Sequence, residues 1–131
     1  MSTGYPVFEL RDWDELPDWQ PQTVKRLRKR VVREFQDGRY SKDFEAKLAE
    51  RGIRLPEVLN TLRSRNSYIV KYRDRYTGRW HIGFWHPRLQ LFVAWEAGPY
   101  SAFKTCFERQ DGLRYVVNRL RESSPVYRPP R

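Results

Sequence analysis

Residues 67–96 read SYIVKYRDRYTGRWHIGFWHPRLQLFVAWE, and the side-chain pattern along most of this stretch has a period of two. Such alternation is typical of β-strands, because successive side chains of a strand point to opposite faces of a sheet. Turn-forming residues interrupt the pattern at 74–78 and at 86–88. Connections this short join neighbouring strands in antiparallel order. The stretch therefore predicts three strands of an antiparallel meander.

A fourth strand and a last helix are predicted downstream. Gly98-Pro99 ends the third strand, and residues 101–107 alternate again. After Asp111-Gly112, apolar residues recur at helical spacing at Leu113, Val116, Val117 and Leu120. The Pro/Arg-rich tail, residues 123–131, is predicted to be extended and mobile.

The half of the chain that precedes the sheet is predicted to be helical. Pro21 suits the first position of a helix, which Asp37-Gly38 would end. Apolar residues spaced by three and four form a single stripe on this helix, at Val24, Leu27, Val31 and Phe35. A second helix is predicted from Ser41 to Gly52, and a third from Pro56 onward. An N-terminal layer of three helices, a four-stranded antiparallel sheet and a C-terminal helix define a two-layer α+β protein.

Charge divides the 131-residue chain into three parts. Residues 1–20 form an acidic arm of net charge −4, residues 21–122 a single basic α+β domain, and residues 123–131 the tail. The whole chain carries +10, which favours a phosphate-rich partner. The predicted first helix concentrates this charge in Lys25, Arg26, Arg28, Lys29, Arg30 and Arg33. We expect these residues to contact nucleic-acid phosphates, the alternative being a solvated helix face.

Several classes of site and location are disfavoured. The single cysteine, Cys106, excludes an internal disulfide and a cysteine-based zinc site, and two histidines supply at most half of a metal shell. We therefore expect no metal and no cofactor. Residues 1–20 do not resemble a signal peptide, and no stretch approaches the roughly 20 apolar residues of a membrane span. The expectation is a cytoplasmic protein with no membrane partner.

One face of the sheet must pack on the helices, and the other is predicted to be a second nucleic-acid surface. That face is expected to show some of Lys71, Arg73, His81 and Trp85. Together with Arg79, such residues can stack on bases and contact phosphates. Trp85 and Tyr76 are predicted to be surface aromatics, and Trp80, Phe84 and Trp95 to lie in the core.

The same residues suggest a metal-independent ribonuclease site. Attack of an RNA 2′-OH on its phosphate needs a base, a cation and an acid. We predict His81 as the proton-transfer residue, Lys71, Lys104 or Arg79 as the cation, and Thr105 or Tyr76 as the hydroxyl. A purely structural role for His81 is the alternative, and His86, before Pro87, is predicted to cap a turn.

The stretch from Gly78 to Leu120 resembles the sheet-and-helix half of the barnase/EndoU/colicin/RelE-like superfamily of metal-independent ribonucleases, which includes toxins. The motifs are the IGFW-x-P strand and turn (82–87), the strand Lys104-Thr105-x-Phe107, and the Asp-Gly helix start. The resemblance implies helices before an antiparallel sheet, Lys104 and Thr105 on its final strand, and His81 facing a cleft. Many relatives carry a His or a Lys-His pair on an N-terminal helix. This chain has none before His81, so that Lys42, Lys47 or a basic residue of the first helix would have to replace it.

Three functions remain open at this point. The first is a toxin-type endoribonuclease, with an antitoxin or immunity protein as a further partner. The second is a non-catalytic RNA- or DNA-binding subunit of a ribonucleoprotein or mobile-element complex. The third is a protein-interaction domain. Nucleic acid, and RNA in particular, is the favoured partner.

Overall fold

The computed structural model describes residues 21–73, 78–96, 101–108 and 126–127. The elements, in chain order, are α1 (Pro21–Gln36), α2 (Lys42–Arg51), α3 (Leu55–Arg63), β1 (Tyr68–Arg73), β2 (Trp80–His86), β3 (Leu91–Glu96), β4 (Ala102–Glu108) and β5 (Val126–Tyr127). The α+β class, the three helices and the four-stranded antiparallel meander are confirmed. The predicted C-terminal helix and the acidic arm lie outside the described residues.

The strands are ordered β4-β3-β2-β1-β5, and all neighbours are antiparallel. The last strand comes from the tail, where Val126 pairs with Val70 and Tyr127 with Ile69. The tail is extended at these two residues, as predicted. They are held because Tyr127 packs against the main core as well as pairing with β1.

Local sequence explains the helical layer. The apolar stripe of α1 is buried as predicted, and it packs with residues of α2, α3 and the sheet. Ser41 Oγ accepts a hydrogen bond from the Phe44 N–H at 3.1 Å and so caps α2. Gly52 ends α2 in the left-handed region at φ 65°, which glycine adopts without a steric penalty. We call the sheet face that meets these helices, which carries Phe84 and Trp95, the inner face.

Glu34 joins α1 to the sheet through a buried carboxylate. Its Oε1 accepts hydrogen bonds from Trp95 Nε1 at 3.2 Å and from Ser101 Oγ at 2.7 Å. Its Oε2 pairs with the guanidinium of Arg30, one turn earlier. The charge is tolerated in the core because both oxygens have partners.

The opposite, outer face of the sheet is also apolar. Its buried cluster consists of Val70, Trp85, Phe92 and Ala94, with Tyr68 and Phe107 packed against them. Trp85 is 4% exposed, so the prediction of a surface aromatic at this position is wrong. The reason is the register, which places Trp85 between Tyr68 on β1 and Phe92 on β3.

Gly83 leaves space for an aromatic ring within this outer cluster. A Cβ at this position would overlap Phe92 Cζ and Cε2 and lie 3.3 Å from Val70 Cγ1. The Phe92 ring is buried and stacks on the Phe107 ring, with 4.9 Å between the ring centroids, so it has little room to move. We expect Gly83→Ala to lower the unfolding free energy by about 1–3 kcal/mol, measured by urea denaturation. In a Phe92→Leu background, Gly83→Ala should lower the unfolding free energy by less. An equal decrease in both backgrounds would contradict this explanation.

The outer edge of β4 is closed by α2 and the residues before it. The Phe103 N–H donates to the Arg39 carbonyl, and the Phe103 carbonyl accepts from the Ser41 N–H, both at 3.1 Å. Farther along, the Arg51 guanidinium donates to the Cys106 carbonyl. The Cys106 side chain is buried beneath this contact, and burial raises the pKa of its thiol to about 11.

Candidate nucleic-acid interface

The exposed side of α1 is a continuous basic surface, which we call the basic ridge. Its members are Lys25, Arg26, Lys29 and Arg33, all of them exposed. At 100° per residue they occupy an arc of about 100° opposite the buried stripe, and they extend over about 12 Å of helix axis. The only acidic partner of the ridge in the described part of the chain is Asp37, whose Oδ2 lies 4.0 Å from Arg33 Nε. An exposed pair at this distance contributes little, so the ridge keeps its positive charge.

Two predicted phosphate-binding residues of α1 lie off the ridge. Arg30 is 17% exposed in its side chain and pairs with Glu34. Arg28 is half-buried, and its Cζ lies 5.7 Å from the centre of the Tyr127 ring. Both positions flank the buried stripe on the helix, which is why their side chains have partners within the protein. Of Arg73, another predicted contact, only the backbone position on β1 is described.

The predicted catalytic residues do not all meet on one face. Lys71 pairs in register with Ile82, whereas His81 pairs with Tyr72, one residue farther along β1. A shift of one residue changes the face, so Lys71 belongs to the inner face and His81 to the outer face. Lys71 is buried with its Nζ 4.2 Å from the centre of the Trp80 ring. Lys71 therefore does not lie beside His81, contrary to the expectation from the sequence.

The outer face does bring His81 and Lys104 together, around a residue that the sequence reasoning missed. Glu96 is the register partner of His81 on β3 and is 4% exposed. Its Oε2 lies 3.1 Å from Lys104 Nζ, and its Oε1 lies 3.3 Å from Nη1 of Arg79. We call these four residues the Glu96 cluster. The sequence signal for Glu96 is that it is the one acidic residue of the otherwise apolar strand LFVAWE.

A β-bulge separates Lys104 from Thr105. Thr105 pairs with Ala94 and Phe103 with Trp95, which leaves Lys104 as the extra residue of β4. Lys104 reaches Glu96, whereas Thr105 Oγ1 accepts a hydrogen bond from Lys47 Nζ at 3.2 Å. The two residues therefore contact different partners, and Lys47 of α2 is the helix lysine beside Thr105.

His86 has the predicted capping role. Its Nδ1 accepts hydrogen bonds from the N–H groups of Arg88 and Leu89, each at 3.2 Å. Burial, followed by the charge of Arg88, lowers the pKa of His86 from its usual 6.5. The neutral ring is therefore the form that holds the β2–β3 turn.

This capping predicts a pH dependence of stability. Because the folded pKa lies below the unfolded one, His86 stabilises the fold fully above about pH 6.5, and this stabilisation is lost as pH falls through the folded pKa. We expect urea denaturation between about pH 7 and pH 5 to show a declining unfolding free energy. The decline should be shallower in His86→Gln, and an unchanged slope in that variant would contradict the assignment.

Comparison of the chain with protein-family models, curated proteins and solved structures finds no match. The ribonuclease resemblance therefore stays a prediction from residues 78–120. Within the described ranges, no helix is long and apolar enough to cross a membrane, and no three His, Cys, Asp or Glu side chains gather where they could hold a metal ion.

Proposed function

We propose that this chain is a nucleic-acid-binding domain that contacts the phosphate backbone through the basic ridge. The observation that carries the proposal is the one-sided display of four exposed Lys and Arg residues on α1. Lysine and arginine bind phosphates through charge-assisted hydrogen bonds, and each contact releases counterions. RNA is the favoured partner because of the resemblance over residues 78–120.

Fluorescence anisotropy tests this function. Labelled single-stranded RNA, duplex RNA and duplex DNA of equal length would be titrated between about 50 and 200 mM salt. Four phosphate contacts predict that log K falls with log salt with a slope of about −3.6 on duplex DNA and about −2.8 on single strands. Binding that does not depend on salt, or no binding at low salt, would count against the proposal and favour a protein-interaction domain.

RNA cleavage is the second candidate function, and the Glu96 cluster is the observation that favours it. A carboxylate and an imidazole occupy register-paired positions on β3 and β2, and two cations pair with the carboxylate. One group would take the proton of the 2′-OH as its oxygen attacks phosphorus, and the other would protonate the departing 5′ oxygen. Arg79 and Lys104 would stabilise the charge on the phosphorane, and a 2′,3′-cyclic phosphate would form. Arg79, 66% exposed, is the most accessible member of the cluster.

Incubation of the purified protein with RNA in EDTA distinguishes cleavage from binding. If the Glu96 cluster is catalytic, His81→Ala and Glu96→Gln should each slow cleavage by about 10²-fold or more, with binding retained. Glu108→Gln, at an exposed acid on β4, is the matched control and should cleave at the wild-type rate. Intact RNA in the presence of salt-dependent binding would identify a non-catalytic binder.

A further inference from the structure

Arg28 is held in an unfavourable environment beneath the C-terminal strand. Its Nη2 donates to the Ser67 carbonyl at 3.5 Å, the long limit of a hydrogen bond. Its Nε is buried and has no hydrogen-bond partner. The Tyr127 ring supplies a cation–π contact but no acceptor for this N–H. An unmet buried donor typically costs about 1–3 kcal/mol.

The charge of Arg28 also lacks a carboxylate partner among the described residues. Burial lowers the pKa of its guanidinium, and the nearby charge of Arg65 lowers it further, against an opposing effect of Tyr127. Arg65 is exposed and lies two residues before Ser67, the backbone partner of Arg28. Neither arginine forms an ion pair with a carboxylate of the described residues. Two guanidiniums that pair with no carboxylate in the described part of the chain, one of them with an unused donor, are suited to an anion.

Tyr127 covers Arg28 from β5, which pairs with Ile69 and Val70 of β1. Arg28 also lies next to the ridge, because Lys25 is three residues before it and Lys29 directly follows it. A nucleic-acid strand on the ridge therefore passes within one helical turn of Arg28.

We propose that Arg28 and Arg65 form a phosphate-binding site that continues the basic ridge and opens when Tyr127 moves away from Arg28. Its ligand is an internal phosphodiester of the nucleic acid bound to the ridge, so this inference rests on the proposed function. The phosphate gives the buried Nε an acceptor and gives both guanidiniums a counter-charge. Tyr127 is therefore a competitor of the phosphate for Arg28.

Tyr127→Ala tests the competition, because it removes the ring and keeps every charge. We expect about three- to eightfold tighter binding near 0.1 M salt and a salt slope on duplex DNA that is steeper by about 0.9, the increment of one phosphate contact. If the alanine variant folds poorly, Tyr127→Leu replaces it in the test. The leucine keeps an apolar side chain against the core, and the same gain in affinity is expected. Tyr68→Ala, at a half-buried tyrosine of the outer face, is the control and should not bind more tightly.

The inference requires that the gain in affinity of the Tyr127 variants depends on Arg28 and Arg65. In an Arg28→Gln background, Tyr127→Ala should leave affinity and salt slope unchanged, and Arg65→Gln should reduce the gain. A gain that persists without Arg28, or no gain in either Tyr127 variant, would overturn the inference while ridge-dependent binding still stands. Oligonucleotides with a 5′-phosphate and with a 5′-hydroxyl should show equal gains, and a gain confined to the former would overturn the assignment to an internal phosphodiester.

Discussion

Replacing Lys25, Arg26, Lys29 and Arg33 together with glutamine is expected to weaken nucleic-acid binding by about 10²- to 10³-fold near 0.1 M salt. Each phosphate contact contributes roughly 0.9 to the salt slope on duplex DNA, so the four-residue variant should lose most of that slope as well. The fold should be preserved, because all four side chains point away from the buried stripe of α1. Anisotropy titrations at several salt concentrations measure both quantities.

A charge-matched variant distinguishes the contribution of the basic ridge to binding from that of the net charge of the chain. The four exposed residues for this control are Lys42, Arg54, Arg63 and Arg88. Both variants lose four positive charges from the +10 of the chain, so long-range attraction falls similarly in each. We expect the control to bind within several-fold of wild type. Equal weakening in the two variants would show that the ridge is no specific contact surface.

Glu34→Ala is expected to lower the unfolding free energy by about 3–5 kcal/mol. The substitution removes the acceptor of two buried donors, Trp95 Nε1 and Ser101 Oγ, and the carboxylate that pairs with Arg30. It also opens a cavity between α1 and β3, because Glu34 is completely buried. Since domains of this kind are stable by about 5–15 kcal/mol, chemical denaturation should show a large shift of the midpoint.

Two further variants make the Glu34 result specific. Glu45→Ala removes an exposed helical glutamate of α2 and should change stability by no more than about 0.5 kcal/mol. Glu34→Gln keeps an acceptor for Trp95 and Ser101 but loses the ion pair, so its loss should be intermediate. A Glu34→Ala protein as stable as the Glu45→Ala protein would show that the buried carboxylate does not hold α1 to the sheet.

The helices and the order of strands could be predicted because their signals are local. The stripe of α1 follows from spacing alone, and the cap at Ser41 and the stop at Gly52 follow from the conformations these residues favour. Strand β5 could not be predicted in this way. Its two residues are held by tertiary contacts of Tyr127, and nothing within SSPVYRPPR has a strand period.

The candidate site was predictable only in part, because alternation along a strand does not fix the register between strands. Lys71 and His81 were correctly placed on neighbouring strands, but an offset of one residue puts them on opposite faces. Trp85 was expected at the surface, whereas both faces of this sheet bury apolar side chains. Glu96 was missed because its importance depends on the bulge that brings Lys104 to it.

Chemical modification of the buried Cys106 thiol reports on opening of the folded structure. With a thiol pKa of about 11, roughly one molecule in 10⁴ carries the thiolate at pH 7, and the side chain has no exposed surface. Alkylating reagents can reach it only after α2 separates from β4 or the fold opens altogether. The chain has no second thiol, so the rate of modification measures that opening without any engineered label.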